Sequence, residues 1–287
     1  MPRPALTLLQ WNVQWCRGIN GRVDAARIAS VAEEIADPDI ACFQEVGVNF
    51  APLAGSSGED QVALLRELFP GYQVFFGYGV DVPDDLGGRR LFGNLVLTRL
   101  PVRRVQRHSL PWPADPDKPS MPRIAIEALI EAPFGPLRVT TTHLEYYSGV
   151  QRSAQVERLR ELHAEACARV AAAPSARYQS GPFAPLGSTA SAIVTGDFNL
   201  PPQDPMYARM LAPFEEGTPR LLDAWHIANP GVAHPPTFCL HGREHGAAPY
   251  CCDFAFVTED LAPRVRSVRI DRETQASDHQ PVVLELT

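Results

Sequence analysis

Short apolar segments recur along the whole chain, and they restrict the fold more than any other feature of the sequence. Ten segments have the length of β-strands and are bounded by turn residues or charged residues. They cover residues 6–11, 40–43, 74–76, 95–98, 124–130, 137–142, 193–195, 254–257, 265–270 and 282–286. Such a number of strands predicts a protein built mainly from β-sheet.

Apolar residues with helical spacing occur in only about four places. Ile28 begins one pattern, residues 62–69 carry part of a second, and Leu159 lies in the third and longest. Ser148 is the candidate N-cap of the longest helix, and Asp204 followed by a proline is typical of the start of a fourth. Because strands outnumber helices, we expect two sheets packed face to face with helices outside, rather than a doubly wound parallel sheet.

Composition limits the class of protein. No apolar run approaches the roughly 20 residues that a membrane-spanning helix needs, and the first residues lack a signal-peptide pattern. Six cysteines in 287 residues do not form a disulfide framework. We therefore expect one soluble, cytoplasmic domain over residues 1–287, without stable membrane insertion and favoured to be a monomer, with residues 174–191 as a long internal loop.

The charged residues of the chain limit the functions that it can have. The net charge of −7 argues against broad electrostatic attachment to nucleic acid, although a local basic rim and a bound metal leave a nuclease open. Lys118 is the only lysine, which excludes a phosphate-loop lysine.

The motif Gly196-Asp197-Phe198-Asn199 follows the predicted strand 193–195. Residues two apart lie on the same side of extended backbone, and the glycine allows the chain to turn out of the sheet. Asp197 and Asn199 are therefore expected to face one opening. A carboxylate beside an amide can position a water molecule or a hard cation there.

Other polar residues also stand at the ends of predicted strands: Asn12, Glu45, His143 and the pair Asp278-His279. Each alone has an ordinary structural explanation, as a turn residue, a helix-start acid or a buried histidine. Taken together with Asp197, they supply the carboxylate and amide oxygens that Mg²⁺ or Mn²⁺ prefers. The sequence therefore predicts a site for a hard divalent cation at one edge of the sheets.

Seven short motifs occur in the order typical of one family: Trp11-Asn12, Gln44-Glu45, Gly93-Asn94, Thr142-His143-Leu144, Gly196-Asp197-Phe198-Asn199, Asp253 and Ser277-Asp278-His279. This set resembles the endonuclease/exonuclease/phosphatase family, which includes pancreatic deoxyribonuclease, abasic-site endonucleases, neutral sphingomyelinases and inositol-polyphosphate 5-phosphatases. The resemblance implies an α/β fold, a four-layer α/β/β/α sandwich of two mixed, mostly antiparallel sheets. It also implies divalent-metal-dependent attack of water on a phosphate ester.

The resemblance also implies roles for individual residues. Glu45 is the principal ligand of Mg²⁺ or Mn²⁺, with Asn12 and Asp278 in or near its shell. Asp197 positions or deprotonates the attacking water, and Asn199 holds that water and a phosphate oxygen.

For the histidines, His279 contacts the phosphate and is oriented by Asp253, while His143 donates to a non-bridging oxygen or assists the leaving group. Asp197 and His279 both suit the role of general base, and the sequence does not distinguish them. Asn94 and Arg123 are expected near the substrate phosphate, although an arginine in a loop is also simply a solvated cation.

The predicted function is a phosphodiesterase of nuclease type. The alternatives are a phosphatase or phospholipase C-type enzyme for inositol-phosphate or sphingolipid head groups, and a non-catalytic module of the same fold. The partner is a phosphate-ester substrate, with nucleic acid among the candidates. A serine hydrolase is disfavoured because no Gly-x-Ser-x-Gly motif occurs. A zinc site is also disfavoured, because the spacing of Cys239, His241, His245, Cys251 and Cys252 is not that of a zinc finger.

Overall fold

The structure is a computed structural model, and it describes residues 5–84, 87–172, 181–183, 187–215, 217–242 and 248–287. The strands within these residues are β1 (Leu6–Asn12), β2 (Ile40–Val48), β3 (Gln73–Pro83), β4 (Arg89–Thr98), β5 (Val102–Ser109), β6 (Ile124–Ala132), β7 (Gly135–His143), β8 (Ala192–Asp197), β9 (Leu221–Asp223), β10 (Asp253–Thr258), β11 (Val265–Ile270) and β12 (Val282–Leu286). The α-helices are α1 (Ala25–Ala36), α2 (Gln61–Leu68), α3 (Gly149–Ala171), α4 (Pro205–Leu211) and α5 (Ala224–Ala228).

The strands form two six-stranded sheets of matching design. The first has the order β11-β12-β1-β2-β4-β3, and the second has the order β5-β6-β7-β8-β10-β9. Each sheet contains one parallel pair, β1 with β2 and β7 with β8, and its other pairs are antiparallel. The carboxyl ends of parallel strands meet at one edge, so Asn12 lies opposite Gln44, and His143 lies opposite Asp197.

Three apolar cores hold four layers together. Between the sheets, Leu8 and Cys42 of the first pack with Ile126 and Val139 of the second. On the outer face of the first sheet, α1 and α2 cover a second core. On the outer face of the second, α3 and α4 cover a third. The α/β/β/α sandwich of two mixed sheets is thus confirmed.

The strands and helix starts agree well with the sequence-based expectation. Every predicted strand lies within an observed one, and β5, β9 and the short α5 are additional elements. Ser148 caps α3 by accepting a hydrogen bond from the Gln151 amide, and Asp204 caps α4 by accepting one from the Met206 amide. All six cysteines are free and buried. Of the predicted loop 174–191, residues 174–180 and 184–186 lie outside the described residues.

Among the described residues, the helices lack the combination of length and apolar character needed to cross a membrane.

Candidate active site

The Gly196–Asn199 turn is fixed by close contact between β7 and β8. Gly196 has φ +149°, and a Cβ there would lie 2.0 Å from the Thr142 carbonyl oxygen, so only glycine allows this approach. Phe198 is buried and packs edge-to-face against Phe256, with ring centroids 5.1 Å apart. The backbone amide of Asn199 donates to Asp197 Oδ1 over 2.9 Å. The anchored turn directs both polar side chains into one cleft.

This cleft has a volume of about 270 Å³ and lies where the two sheets meet. Most of the predicted residues line it: Glu45, Arg123, His143, Asp197, Asn199, Asp278 and His279. Asn12 lies buried at its base, where its Nδ2 donates to Glu45 Oε1 and to Asp197 Oδ2, each over 3.0 Å. Asn12 therefore connects an acid of the first sheet to an acid of the second.

The carboxylates of the cleft are held close together, and two of them resist ionisation. Burial, together with the charge of Asp278, raises the pKa of Glu45 to about 7. Burial raises the pKa of Asp197 to about 6. Gln14 donates to Asp278 Oδ2 over 2.8 Å, while its own buried Oε1 has no hydrogen-bond donor within the described residues. Glu45 and Asp197 are therefore hard to ionise as long as no cation lies beside them. Together with the unsatisfied Gln14 oxygen, their carboxylates are ligands that suit a hard divalent cation.

His279 forms a tightly supported pair with Asp253. The His279 Nδ1 and Asp253 Oδ2 atoms are 2.9 Å apart. Thr237 Oγ1 donates to the same oxygen over 2.6 Å, and Gln10 Nε2 donates to Oδ1 over 2.7 Å. Burial alone would lower the pKa of His279, but the charges of Asp253 and Asp197 raise it to about 10. His279 is therefore protonated at neutral pH.

His143 has the opposite charge state. Its Nε2 lies 3.0 Å from Asn199 Nδ2 and 3.4 Å from Asp197 Oδ2. Burial, followed by the positive charges of Arg123 and His279, holds the pKa of His143 well below its usual range. The cleft thus contains one neutral and one charged imidazole.

Arg123 is the arginine of the cleft. Its Nε donates to Glu145 Oε2 over 3.1 Å, and its buried Nη1 has no acceptor among the described residues. A guanidinium nitrogen in this state suits a phosphate oxygen. Asn94 lies apart from the main cleft. Its Nδ2 donates to the Ile124 carbonyl over 2.9 Å, and it lines a small adjoining pocket with Arg123 and His143.

Four residues of the site were missed in the sequence: Gln10, Gln14, Glu145 and Thr237. Gln10 lies two residues before Asn12, so its side chain faces the same side of β1 and could have been found from alternation. Glu145 and Gln14 each lie two residues beyond a predicted site residue, but past the end of the strand. Thr237 gave no local signal, because it lies in a proline-rich loop.

Two residues of the disfavoured zinc set have separate surroundings in the described part of the chain, and a third is not described. Cys252 lies near Asp197 and His279, His241 bonds to the Arg272 carbonyl, and His245 lies outside the described residues. A separate group contains Asp223, His226 and His234. The Asp223 carboxylate in that group is already hydrogen-bonded: it accepts from the Tyr207 hydroxyl, the Trp225 backbone amide and the His234 ring.

Comparison with known proteins gives a consistent result. The model of the Endonuclease/Exonuclease/phosphatase family matches residues 9–279. An endonuclease/exonuclease/phosphatase from Beutenbergia cavernae is 26% identical, with a TM-score of 0.65 over 99% of this chain and 72% of that one. No curated protein matches the sequence.

Two more distant structures share the fold. A mannosyl-6-phosphatase from Bacteroides thetaiotaomicron is 18% identical, with a TM-score of 0.64 over 98% of this chain and 99% of that one. The human nocturnin catalytic domain is 20% identical, with a TM-score of 0.60 over 99% of this chain and 93% of that one.

Proposed function

The chain belongs to the endonuclease/exonuclease/phosphatase family, whose members hydrolyse phosphate esters with divalent metals, and on this basis we propose that it is a Mg²⁺- or Mn²⁺-dependent phosphodiesterase. We further propose that it acts in the cytoplasm, because its six cysteines are all free and buried.

The observation that carries this proposal is the combination of acids and histidines in one cleft. Glu45, Asp197 and Asp278 line it together with His143 and His279. Glu45, Asp278, Asn12 and the amide oxygen of Gln14 would hold the cation. When bound, the cation neutralises phosphate charge and lowers the pKa of a bound water.

We assign the proton transfers to Asp197 and His279. Asp197 is the better general base, because its pKa near 6 leaves it ionised at neutral pH, whereas His279 already carries a proton. Protonated His279 donates to a phosphoryl oxygen, and Asp253 keeps that imidazole charged and oriented.

Negative charge grows on the phosphoryl oxygens as water attacks, and fixed donors stabilise it. Arg123 offers its unpartnered Nη1 to such an oxygen. Asn199 Nδ2 already contacts His143 Nε2 and the Leu144 carbonyl, so Asn199 offers its side-chain oxygen to the attacking water. Neutral His143 has no proton to give to the departing oxygen, which water then protonates; its Nε2 lies 3.0 Å from Asn199 Nδ2 and holds that side chain in place.

A diester is favoured over more highly charged substrates. Among the described residues, Arg123 is the only arginine or lysine that lines the cleft. One guanidinium, two histidines and a cation match a single phosphate group, whereas an inositol polyphosphate would need further cations.

The test is hydrolysis of bis-p-nitrophenyl phosphate with Mg²⁺ or Mn²⁺. Asp197→Asn should lower kcat by roughly 10²–10⁴-fold, the range of general-base catalysis. Asp204→Asn is a matched control, because asparagine also caps the helix α4 and this residue lies outside the cleft. Equal loss in both variants, or in neither, would contradict the assignment.

The same preparation should be offered p-nitrophenyl phosphate, plasmid DNA, single-stranded oligonucleotide, sphingomyelin and an inositol phosphate. Preference for the monoester or a lipid head group over every diester would replace the diesterase proposal with the corresponding alternative.

A further inference from the structure

Two histidines and one aspartate form a cluster apart from the catalytic cleft. Asp223 ends β9, His226 lies on α5, and His234 belongs to the chain that follows this helix. Each of the three offers a ligand atom that lies within 4.8 Å of the ligand atoms of the other two. In the described part of the chain, their side chains are not among those that line the cleft. We call these three residues the β9–α5 cluster.

The packing of neighbouring residues brings the two histidines together. Trp225 is buried, and its Nε1 donates to the Val232 carbonyl over 2.9 Å, which closes the loop between α5 and His234. The rings of His226 and His234 then meet edge-to-face, with centroids 4.7 Å apart. The two imidazoles are therefore placed side by side by the fold and not by a hydrogen bond between them.

His234 is held through one of its two ring nitrogens. Its Nε2 lies 2.8 Å from Asp223 Oδ2, and its side chain is only 5% exposed. Two other donors fix the same carboxylate, the Tyr207 hydroxyl and the Trp225 backbone amide. A carboxylate on one nitrogen of an imidazole leaves the other nitrogen for a metal, which is the usual support of metal-binding histidines. Asp223 therefore orients His234 as such a ligand.

His226 completes the cluster from the solvent side, because its side chain is exposed. In a tetrahedral zinc site with Zn–N bonds of about 2.0–2.1 Å, two ligand nitrogens lie roughly 3.3 Å apart. The ligand atoms of the cluster must therefore move closer than the 4.8 Å limit within which they now lie. Rotation of the exposed His226 side chain between its rotamers supplies this movement without a change in the α5 backbone.

A cavity of about 450 Å³ lies beside the two histidines. His226 and His234 line it together with Gln203, Tyr250 and Cys251. A water molecule occupies about 30 Å³ in the liquid. The cavity therefore has room for an ion and for the water molecules that would complete its coordination.

We propose that Asp223, His226 and His234 form a second metal site for a borderline divalent ion such as Zn²⁺, in which each histidine binds the ion through one nitrogen and Asp223 orients His234. Imidazole nitrogens suit Zn²⁺, whereas the oxygen ligands of the cleft suit Mg²⁺ or Mn²⁺. His234 lies three residues before Thr237, whose hydroxyl donates to Asp253. A bound ion would thus fasten α5 to the segment that leads to the catalytic pair.

The test is the zinc content of the full chain. Protein freed of metal with a chelator is dialysed against Zn²⁺ in a large excess of Mg²⁺, and the bound zinc per chain is measured by elemental analysis. Mg²⁺ competes for the oxygen ligands of the cleft but poorly for imidazole. We expect His226→Ala to bind one zinc ion fewer than the unaltered chain. Asp223→Asn should raise the Kd for zinc by about 10- to 100-fold, as for loss of the partner of a metal-bound histidine.

His241→Ala is the matched control, because His241 is an exposed histidine outside the cluster, and its loss should leave the zinc content unchanged. The Tm of each variant without metal shows whether it is folded. His226→Ala tests the site even if the buried Asp223 variant does not fold, because His226 is exposed.

Three results would overturn the second metal site: no zinc bound by the unaltered chain, the same zinc content in His226→Ala, or an equal loss in His241→Ala. An unchanged Kd in Asp223→Asn would contradict the orienting role of that carboxylate. Because the readout is metal content and not hydrolysis, these results leave the proposed phosphodiesterase activity untouched.

Discussion

His143 and His279 occupy the same cleft in opposite charge states because their neighbours differ. His279 faces the carboxylates of Asp253 and Asp197, which raise its pKa to about 10. His143 is buried near Arg123 and His279, so the pKa of His143 falls. We therefore propose separate tasks for the two imidazoles, His279 as a charged donor to phosphate and His143 as a neutral partner of Asn199.

Replacing Asp253 with asparagine tests this division. Asp253→Asn removes the charge behind His279, so we expect the His279 pKa to fall from about 10 and its imidazole to lose its proton at a lower pH. NMR titration of the His279 ring in the unaltered protein and in the variant measures this directly. An unchanged His279 pKa would show that Asp253 does not set its charge. Activity on bis-p-nitrophenyl phosphate should fall in parallel.

At the scale of elements, strand β8 places Asp197 in the cleft because Gly196 allows β8 to lie close to β7. Gly196→Ala would place a Cβ 2.0 Å from the Thr142 carbonyl oxygen. We expect it to lower the free energy of unfolding by about 3 kcal/mol, at the upper end for overpacked sites, as measured in urea. Gly149→Ala is the control: no atom lies within 4 Å of its Cβ position at the start of α3. Equal stability of the two variants would contradict the packing argument.

Helix α3 carries a buried histidine that makes stability depend on pH. Arg138 Nη2 lies 2.8 Å from His163 Nδ1, and His163 Nε2 lies 2.9 Å from the Pro219 carbonyl. Burial lowers the pKa of His163 to about 4, against 6.5 for the ordinary side chain. Between these values the unfolded chain binds a proton that the folded chain does not, so stability is lost as pH falls.

We expect the titration of His163 to lower the free energy of unfolding by about 3 kcal/mol as the pH falls from 7 to 4. His163→Gln keeps a donor and an acceptor but does not titrate. The difference in unfolding free energy between the unaltered protein and His163→Gln should therefore change by about 3 kcal/mol between pH 7 and pH 4. A difference that is constant with pH would show that His163 titrates normally.

The elements that escaped sequence analysis were either weakly apolar, like β5, or too short to show a pattern, like β9 and α5. β5 contains two apolar residues among arginines, because it is an edge strand with much of its surface in water. β9 has three residues. Strands buried on both faces, such as β8, were found because they contain consecutive apolar residues, in β8 Ala192, Ile193 and Val194.

The site was accessible to sequence analysis for a related reason: its residues stand where buried strands end. Asn12, His143 and Asp197 could be located in this way. Their partners could not, because contacts such as Gln10 with Asp253 join positions 243 residues apart. Such pairing is a property of tertiary packing and leaves no local pattern.

For the whole molecule, the site depends on how the two sheets meet. Asn12 bonds to one acid in each sheet, Gln10 of β1 bonds to Asp253 of β10, and Gln44 Nε2 donates to Thr141 Oγ1 of β7 over 2.9 Å. These polar contacts cross the interface between sheets at the edge where the cleft opens. The acids are therefore held in proximity by the sandwich itself, and a cation would offset their repulsion.

The most direct measurement is hydrolysis of bis-p-nitrophenyl phosphate by protein freed of metal with a chelator, then supplied with Mn²⁺ or Mg²⁺. We predict no hydrolysis above background without metal, recovery on adding either ion, and no recovery for Glu45→Gln at the same ion concentration. Hydrolysis that continues at full rate in the presence of the chelator would contradict the metal-dependent phosphodiesterase proposed here.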